Sequence, residues 1–228
     1  MFSHVPSRQR SHRRWATPLI VTLSMAGFVW LANVEPSARA EVLLRWGTVP
    51  ATLFQPSQMM DSLWEPGSLS LLSSLFLHAN WLHLLGNLLF LLIFGLPAER
   101  SLGPMRFLLL FVICGMAGNL SAAWSLDDSA AVIIGSSGAV SGLIGAFLVL
   151  FPRAELAIVL PLGLFLEFVR TPASVMIGLW ATLQALFAFV GPTFGAVAWW
   201  AHLGGFALGI VLALAMRRGV ARRLRQRG

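Results

Sequence analysis

Six apolar runs divide this chain, at about residues 16–34, 81–97, 104–124, 131–151, 172–190 and 194–216, each bounded by charge, Pro or Gly. Each is close to the roughly 20 residues that a helix needs to cross a hydrocarbon core about 30 Å thick. Lipid offers the backbone no hydrogen-bond partners, so a run that spans on its own must be a helix. Composition agrees, since 57% of residues are hydrophobic and 11% charged, with a mean hydropathy of +0.78, where a soluble domain carries about 25% charged residues. The sequence therefore predicts an all-α polytopic membrane protein, its membrane domain at 16–216 between Arg-rich segments at 1–15 and 217–228.

Charge sets the orientation. All 16 basic residues are Arg, and the +7 excess lies mostly at the two ends. Arg8, Arg10, Arg13 and Arg14 precede the first run, and Arg217, Arg218, Arg222, Arg223, Arg225 and Arg227 follow the last. These are juxtamembrane clusters of the positive-inside kind, and no basic face with interleaved aromatics points to nucleic acid. Six crossings put both termini on one side, the cytoplasm, which leaves 14 Arg inside and only Arg39 and Arg45 outside. The one cysteine, Cys114, excludes an intramolecular disulfide and a CxxC site, and reads as packing.

Three segments need separate treatment. The apolar stretch between Glu155 and Glu167 is 11 residues long with Pro161 and Gly163 inside, too short to span, so it is expected to lie in the interface or re-enter. Ala38-Arg39-Ala40 after the first run imitates a signal-peptide cleavage site. Retention is the favoured reading, and the later helices keep their orientation either way. The loop from Glu35 to about Leu77, with Trp46, Trp64 and several Pro, is expected to be ordered and partly interfacial.

Polar groups at membrane depth are costly and so are functional candidates. They are His83, Asn87, Asn119, Ser136, Ser137, Ser141, Gln184 and His202. With this topology Ser137 lies six residues into the fourth run and His202 eight into the sixth, roughly 9 to 12 Å below the outer surface. A lone serine in an apolar helix ordinarily bonds its own i−4 carbonyl, and a lone histidine ordinarily packs. The neighbours change that reading. Gly135-Ser136-Ser137-Gly138 places Ser137 near a helix start, where free N–H groups can serve an oxyanion. Gly138, Gly142 and Ala146 form one small stripe, and His202, Gly205 and Gly209 another, so two helices can approach closely. His202 is then the base available to Ser137, while His83 and Asn87, four apart, share a face as oxyanion donors. No acidic residue lies at this depth, which leaves a Ser-His dyad.

These motifs together resemble the rhomboid family of intramembrane serine proteases. They stand in the family's order: His78 and His83-x-x-x-Asn87, Gly95-x-x-x-Glu99-x-x-x-Gly103, Gly135-x-Ser137-Gly138, and Ala201-His202-x-x-Gly205-x-x-x-Gly209. The match runs from about Trp46 to Met216. The resemblance implies a six-helix bundle that hydrolyses peptide bonds of transmembrane substrates, with Ser137 as nucleophile and His202 as general base. His83, Asn87 and the backbone N–H of Ser137 would form the oxyanion hole, His78 would support the outer loop, and Glu99 would be structural near the inner turn. The membrane-embedded loop would lie between the first two helices, and the fifth helix with its cap would gate access. The chain departs from the family at one point: Ser141 stands where many members have an aromatic stacked on the histidine, and there is no Tyr. Trp180 and Gln184 are candidates to orient His202 instead, against the ordinary roles of interface packing and an interhelical hydrogen bond.

The expected reaction needs no metal or cofactor, and its rate falls below about pH 6.5 as His202 takes up a proton. Substrate helices weakened by Gly or Pro, with small residues before the cut, fit a nucleophile that needs an unwound carbonyl. The alternative is a non-catalytic rhomboid fold that binds transmembrane helices as chaperone or scaffold. No HExxH, intramembrane aspartate pair or internal repeat supports a zinc protease, an aspartyl protease or a small transporter. The all-Arg, Ala-rich composition associates the chain with a bacterial inner membrane.

Overall fold

A computed structural model describes residues 14–53, 66–126, 130–162, 165–190 and 198–225. Most of the Arg-rich N-terminal segment, Trp64, Gly163, the first residues of the sixth run and the last three residues lie outside these. The helices are α1 Ala16–Ala32, α2 Pro36–Trp46, α3 Pro50–Leu53, α4 Pro66–Ser73, α5 Trp81–Leu102, α6 Pro104–Ser125, α7 Ser137–Leu150, α8 Ala173–Val190 and α9 Trp199–Arg225. A 3₁₀ turn, Ser74–Phe76, leads from α4 toward α5. Strands β1 Glu155–Leu162 and β2 Phe165–Pro172 lie between α7 and α8.

Local chemistry sets several boundaries. Pro36 and Pro104 open α2 and α6, where a missing N–H costs nothing. Within α5, residues Leu91–Gly95 widen into a π turn just before Pro97, which cannot donate and would crowd the carbonyl four residues back. Gly103 then reverses the chain at φ +82°, its N–H bonded to Glu99 O at 2.8 Å. Glu99 itself is buried and caps a different helix. Its carboxylate accepts from the Ala16 and Thr17 N–H groups at 3.0 and 3.1 Å and from the Thr17 hydroxyl at 2.6 Å. Those N–H groups belong to the first turn of α1, which has no side-chain cap of its own.

The glycine stripes bring α6, α7 and α9 together. A methyl on Gly205 would overlap the Gly138 carbonyl, and one on Gly209 the Gly142 carbonyl. The ascending order on both helices makes α7 and α9 parallel. Gly118 meets Gly138 while Cys114 meets Gly142, so α6 runs antiparallel to α7. Trp180 packs on Phe206 and Phe187 on Trp199, so α8 is antiparallel to α9. The Glu99 cap sets the start of α1 beside the end of α5. These relative directions are those of alternating crossings. Every residue of α7 from Gly138 to Phe147 is buried, the pattern of a helix apolar on all sides and enclosed by others. Leu82, Leu85, Phe189 and Val211 lie exposed on the outside of the group, as a lipid-facing surface requires.

The helices depart from the sequence expectation at three places. Four of them, Trp81–Leu102, Pro104–Ser125, Ala173–Val190 and Trp199–Arg217, are long and apolar enough to cross a membrane. The other two apolar helices, α1 and α7, have 17 and 14 residues, about 26 and 21 Å. The fourth helix starts at Ser137 and not near 131, because the preceding chain is extended. Thr48 and Ile133 exchange backbone hydrogen bonds of 3.0 and 2.8 Å, and the Gly135 N–H donates to Ser74 O at 2.8 Å. Non-helical backbone is tolerated beside a span where protein satisfies it in this way. The chain is also not wholly α: the stretch from Glu155 is half of an antiparallel ribbon, registered from Glu155↔Pro172 to Leu162↔Phe165.

Candidate active site

Ser137 is the first residue of α7, at the point where the extended segment turns into the helix. Gly135, at φ +111°, makes that turn, and the Ser136 side chain does not cap the helix. The first N–H groups of α7 therefore have no partner within the helix, and Ser137 itself is half-buried. Gly135 is glycine for two reasons. Its φ is strained for any L side chain, and a Cβ there would lie 2.5 Å from His83 Nε2 and 3.8 Å from Asn87 Nδ2.

His83 and Asn87 therefore face the backbone just ahead of Ser137. Asn80 caps α5 by accepting the His83 N–H at 2.9 Å, which fixes the first turn that carries the imidazole. The Asn87 amide nitrogen is buried and has no hydrogen-bond partner among the described residues. A buried unpaired donor is costly. One aimed at the start of α7 is available to an oxygen arriving there.

His202 approaches from α9. The residue before it, Ala201, places its carbonyl against both Gly118 and Gly138, 2.8 and 3.3 Å from where their Cβ atoms would lie. Gly138 follows Ser137 and His202 follows Ala201, so the close crossing of α7 and α9 brings the chain neighbours of the serine and the histidine into contact. Among the described residues the Ser137 hydroxyl makes no hydrogen bond, to His202 or otherwise. Nucleophile–base bonds are often long before substrate arrives. The other imidazole nitrogen is engaged: Nδ1 lies 2.6 Å from Oε1 of Gln184, which is buried on α8. Trp180 lies 6.4 Å from the ring at a 33° tilt, and Trp199 stands edge-on to it at 6.1 Å.

The remaining polar residues hold the scaffold. His78 is buried, its Nε2 3.4 Å from the Ser136 hydroxyl and its ring 5.1 Å from that of His83. Burial first, and the nearby His83 second, push its pKa down to about 4, so the ring is neutral at pH 7. Asn119 donates to Ser74 Oγ at 2.8 Å and to Leu71 O at 3.2 Å, tying α6 to α4 and the 3₁₀ turn that follows it. Ser141 bonds its own i−4 carbonyl, Ser137 O, at 2.7 Å. The contact of Trp199 with His202 escapes the sequence reading, although its i−3 position relative to the histidine signals a shared face. Among the described residues no three His, Cys, Asp or Glu gather as a metal site.

Residues 62–219 match the Rhomboid domain family. The chain is 32% identical over 193 residues to Rhomboid-like protein 11, chloroplastic, of Arabidopsis thaliana, covering 79% of this chain and 67% of that protein. It is 31% identical over 200 residues to Rhomboid-like protease 3 of Toxoplasma gondii, covering 87% and 66%. Against RHOMBOID-like protein 5 of Arabidopsis thaliana it is 29% identical over 153 residues, 59% and 50%. The chain thus spans between half and two thirds of these relatives.

Proposed function

This chain belongs to the rhomboid family, and on that premise we propose that it is an intramembrane serine endopeptidase that cuts transmembrane protein substrates. The observation that supports the reading is the glycine-lined crossing of α7 and α9 at Gly138 and Ala201, the chain neighbours of Ser137 and His202, beside an Asn87 amide nitrogen with no partner among the described residues. The family supplies the substrate class, and one relative is itself named a protease.

The reaction follows from the positions of the groups. Ser137 Oγ attacks the scissile carbonyl carbon and its proton passes to His202 Nε2. The carbonyl oxygen gains the negative charge, next to the free N–H groups that begin α7 and the side chains of His83 and Asn87. The tetrahedral carbon then expels the amine, which takes the proton from His202, and the substrate acyl group is left on Ser137. Water, deprotonated by the same imidazole, attacks that ester and releases the acid and the free serine. His78 and Glu99 support this chemistry from outside it, the first through Ser136 and the second by capping α1.

The same reading takes α1 and α5 to α9, except the ribbon, as six crossings with both Arg-rich ends in the cytoplasm. It sets the site toward the outer face. The relatives named above are from Arabidopsis and Toxoplasma, one of them chloroplastic, and they lend no support to a bacterial inner membrane, which rests on composition alone. The protein is a multi-pass membrane protein in either case.

The test is intact-mass labelling of the detergent-purified protein with a serine-directed fluorophosphonate, which needs no known substrate. Wild type is expected to gain one adduct, and Ser137→Ala and His202→Ala none. A wild type that stays unlabelled under conditions that label an active rhomboid would move the chain to the helix-binding scaffold reading.

A further inference from the structure

We infer that Gln184 is the positioning residue for the catalytic histidine, its side-chain oxygen holding the proton on His202 Nδ1 so that Nε2 is left free to take the proton of Ser137. This rests on the protease reading above. An imidazole works as a base only in the tautomer whose lone pair faces the nucleophile, and in Ser-His-acid sites a carboxylate selects it. Among the described residues no carboxylate bonds His202. The aromatic that stacks on the histidine in many relatives is replaced by Ser141, whose hydroxyl is already committed to Ser137 O. Gln184 Oε1, 2.6 Å from Nδ1, is the acceptor that the geometry supplies.

The identity of residue 184 points the same way. The residues of α8 that are buried are Ala173, Ile177 and Gln184, so the inward face of this helix is apolar except at this position. An amide on such a face is costly in a membrane unless it is hydrogen-bonded, and a Leu would pack there without that cost. The bond to His202 is what offsets it. Trp180 and Trp199 bound the ring without offering an acceptor, so they limit its tilt while Gln184 sets its protonation. A neutral amide has a further consequence. It selects the tautomer without the charge with which an acid would stabilise the imidazolium, so a carboxylate at 184 should keep the geometry and change the pH response.

The experiment compares wild type, Gln184→Leu and Gln184→Glu by fluorophosphonate labelling rate across pH 5 to 9, with ¹⁵N chemical shifts of the His202 ring as a second readout and thermal midpoints as a check of folding. Gln184→Leu is expected to label on the order of 10- to 100-fold more slowly, with the ring nitrogens of His202 no longer resolved as an Nδ1–H tautomer. Gln184→Glu is expected to label near the wild-type rate at high pH, with its acid limb displaced to higher pH. A purely structural Gln184 would not move that limb. Labelling indifferent to Gln184→Leu, an Nε2–H tautomer in wild type, or a Gln184→Glu profile superimposable on wild type would each overturn the assignment. An Nδ1–H tautomer in a wild type that never labels would overturn the protease reading itself. If the Leu variant does not fold, the limb of the Glu variant decides.

Discussion

Asn87 is a buried residue whose state in the fold packing alone does not explain. Its amide nitrogen has no partner among the described residues, whereas Asn119, also buried, spends its amide on Ser74 and Leu71. Removing a donor that supports no part of the resting fold should leave stability intact and slow the chemistry. Asn87→Ala is therefore expected to keep the wild-type thermal midpoint and to label with fluorophosphonate about 10²- to 10³-fold more slowly, the usual cost of one oxyanion donor. A lowered midpoint with unchanged labelling would assign it to packing. The roles proposed for Ser137 and His202 were legible from the sequence because a nucleophile and a base must sit in particular glycine-rich surroundings. Gln184 was legible only as one of two candidates to orient His202, beside Trp180, since a hydrogen bond between helices depends on how each is rotated about its axis, which no local pattern records.

At the scale of elements, the crossing of α7 and α9 is set by the absence of side chains. Gly205 and Gly209 lie against the carbonyls of Gly138 and Gly142 so closely that a methyl at either position overlaps backbone, and backbone cannot move aside as a side-chain tip can. Gly205→Ala is expected to lower stability by about 1–3 kcal/mol, as overpacking does, and to slow Ser137 labelling by pushing His202 away. Gly178→Ala on α8, where nothing lies within 4 Å of the added methyl, serves as the control and should leave both unchanged. Equal effects of the two would mean that the crossing does not depend on close approach. The two small stripes were readable as periodicity. The ribbon of β1 and β2 was not, because a short apolar stretch with Pro and Gly gives no helical period and the sequence does not say what pairs with it. The start of α7 was misplaced for a related reason: Val132, Ile133 and Ile134 are apolar enough to extend a helix, and only the bridge to Thr48 draws them into an extended path.

For the whole molecule, the helix directions and the charge asymmetry make one claim together. The cap of α1 by Glu99 and the glycine contacts alternate the apolar helices up and down, and the proposed topology puts 14 Arg inside against Arg39 and Arg45 outside. Single cysteines introduced near either terminus in a Cys114→Ala background should react with a membrane-impermeant maleimide only after the membrane is opened, and one at Ser37 should react in intact cells. Labelling of the two termini from opposite sides would overturn the even number of crossings. By itself the sequence determined the solvent, the number of apolar segments, the charge bias of their flanks and the candidate residues of the proposed Ser-His site, because each is a property of composition or local spacing. The tertiary structure alone decided that α7 is the enclosed helix, that an extended strand clamped to Thr48 and Ser74 delivers Ser137 to its first turn, that Glu99 caps a helix more than 80 residues away, and that Gln184 meets His202. Each of these is a contact between segments distant in the chain, fixed only when helices pack at one rotation and one depth against one another.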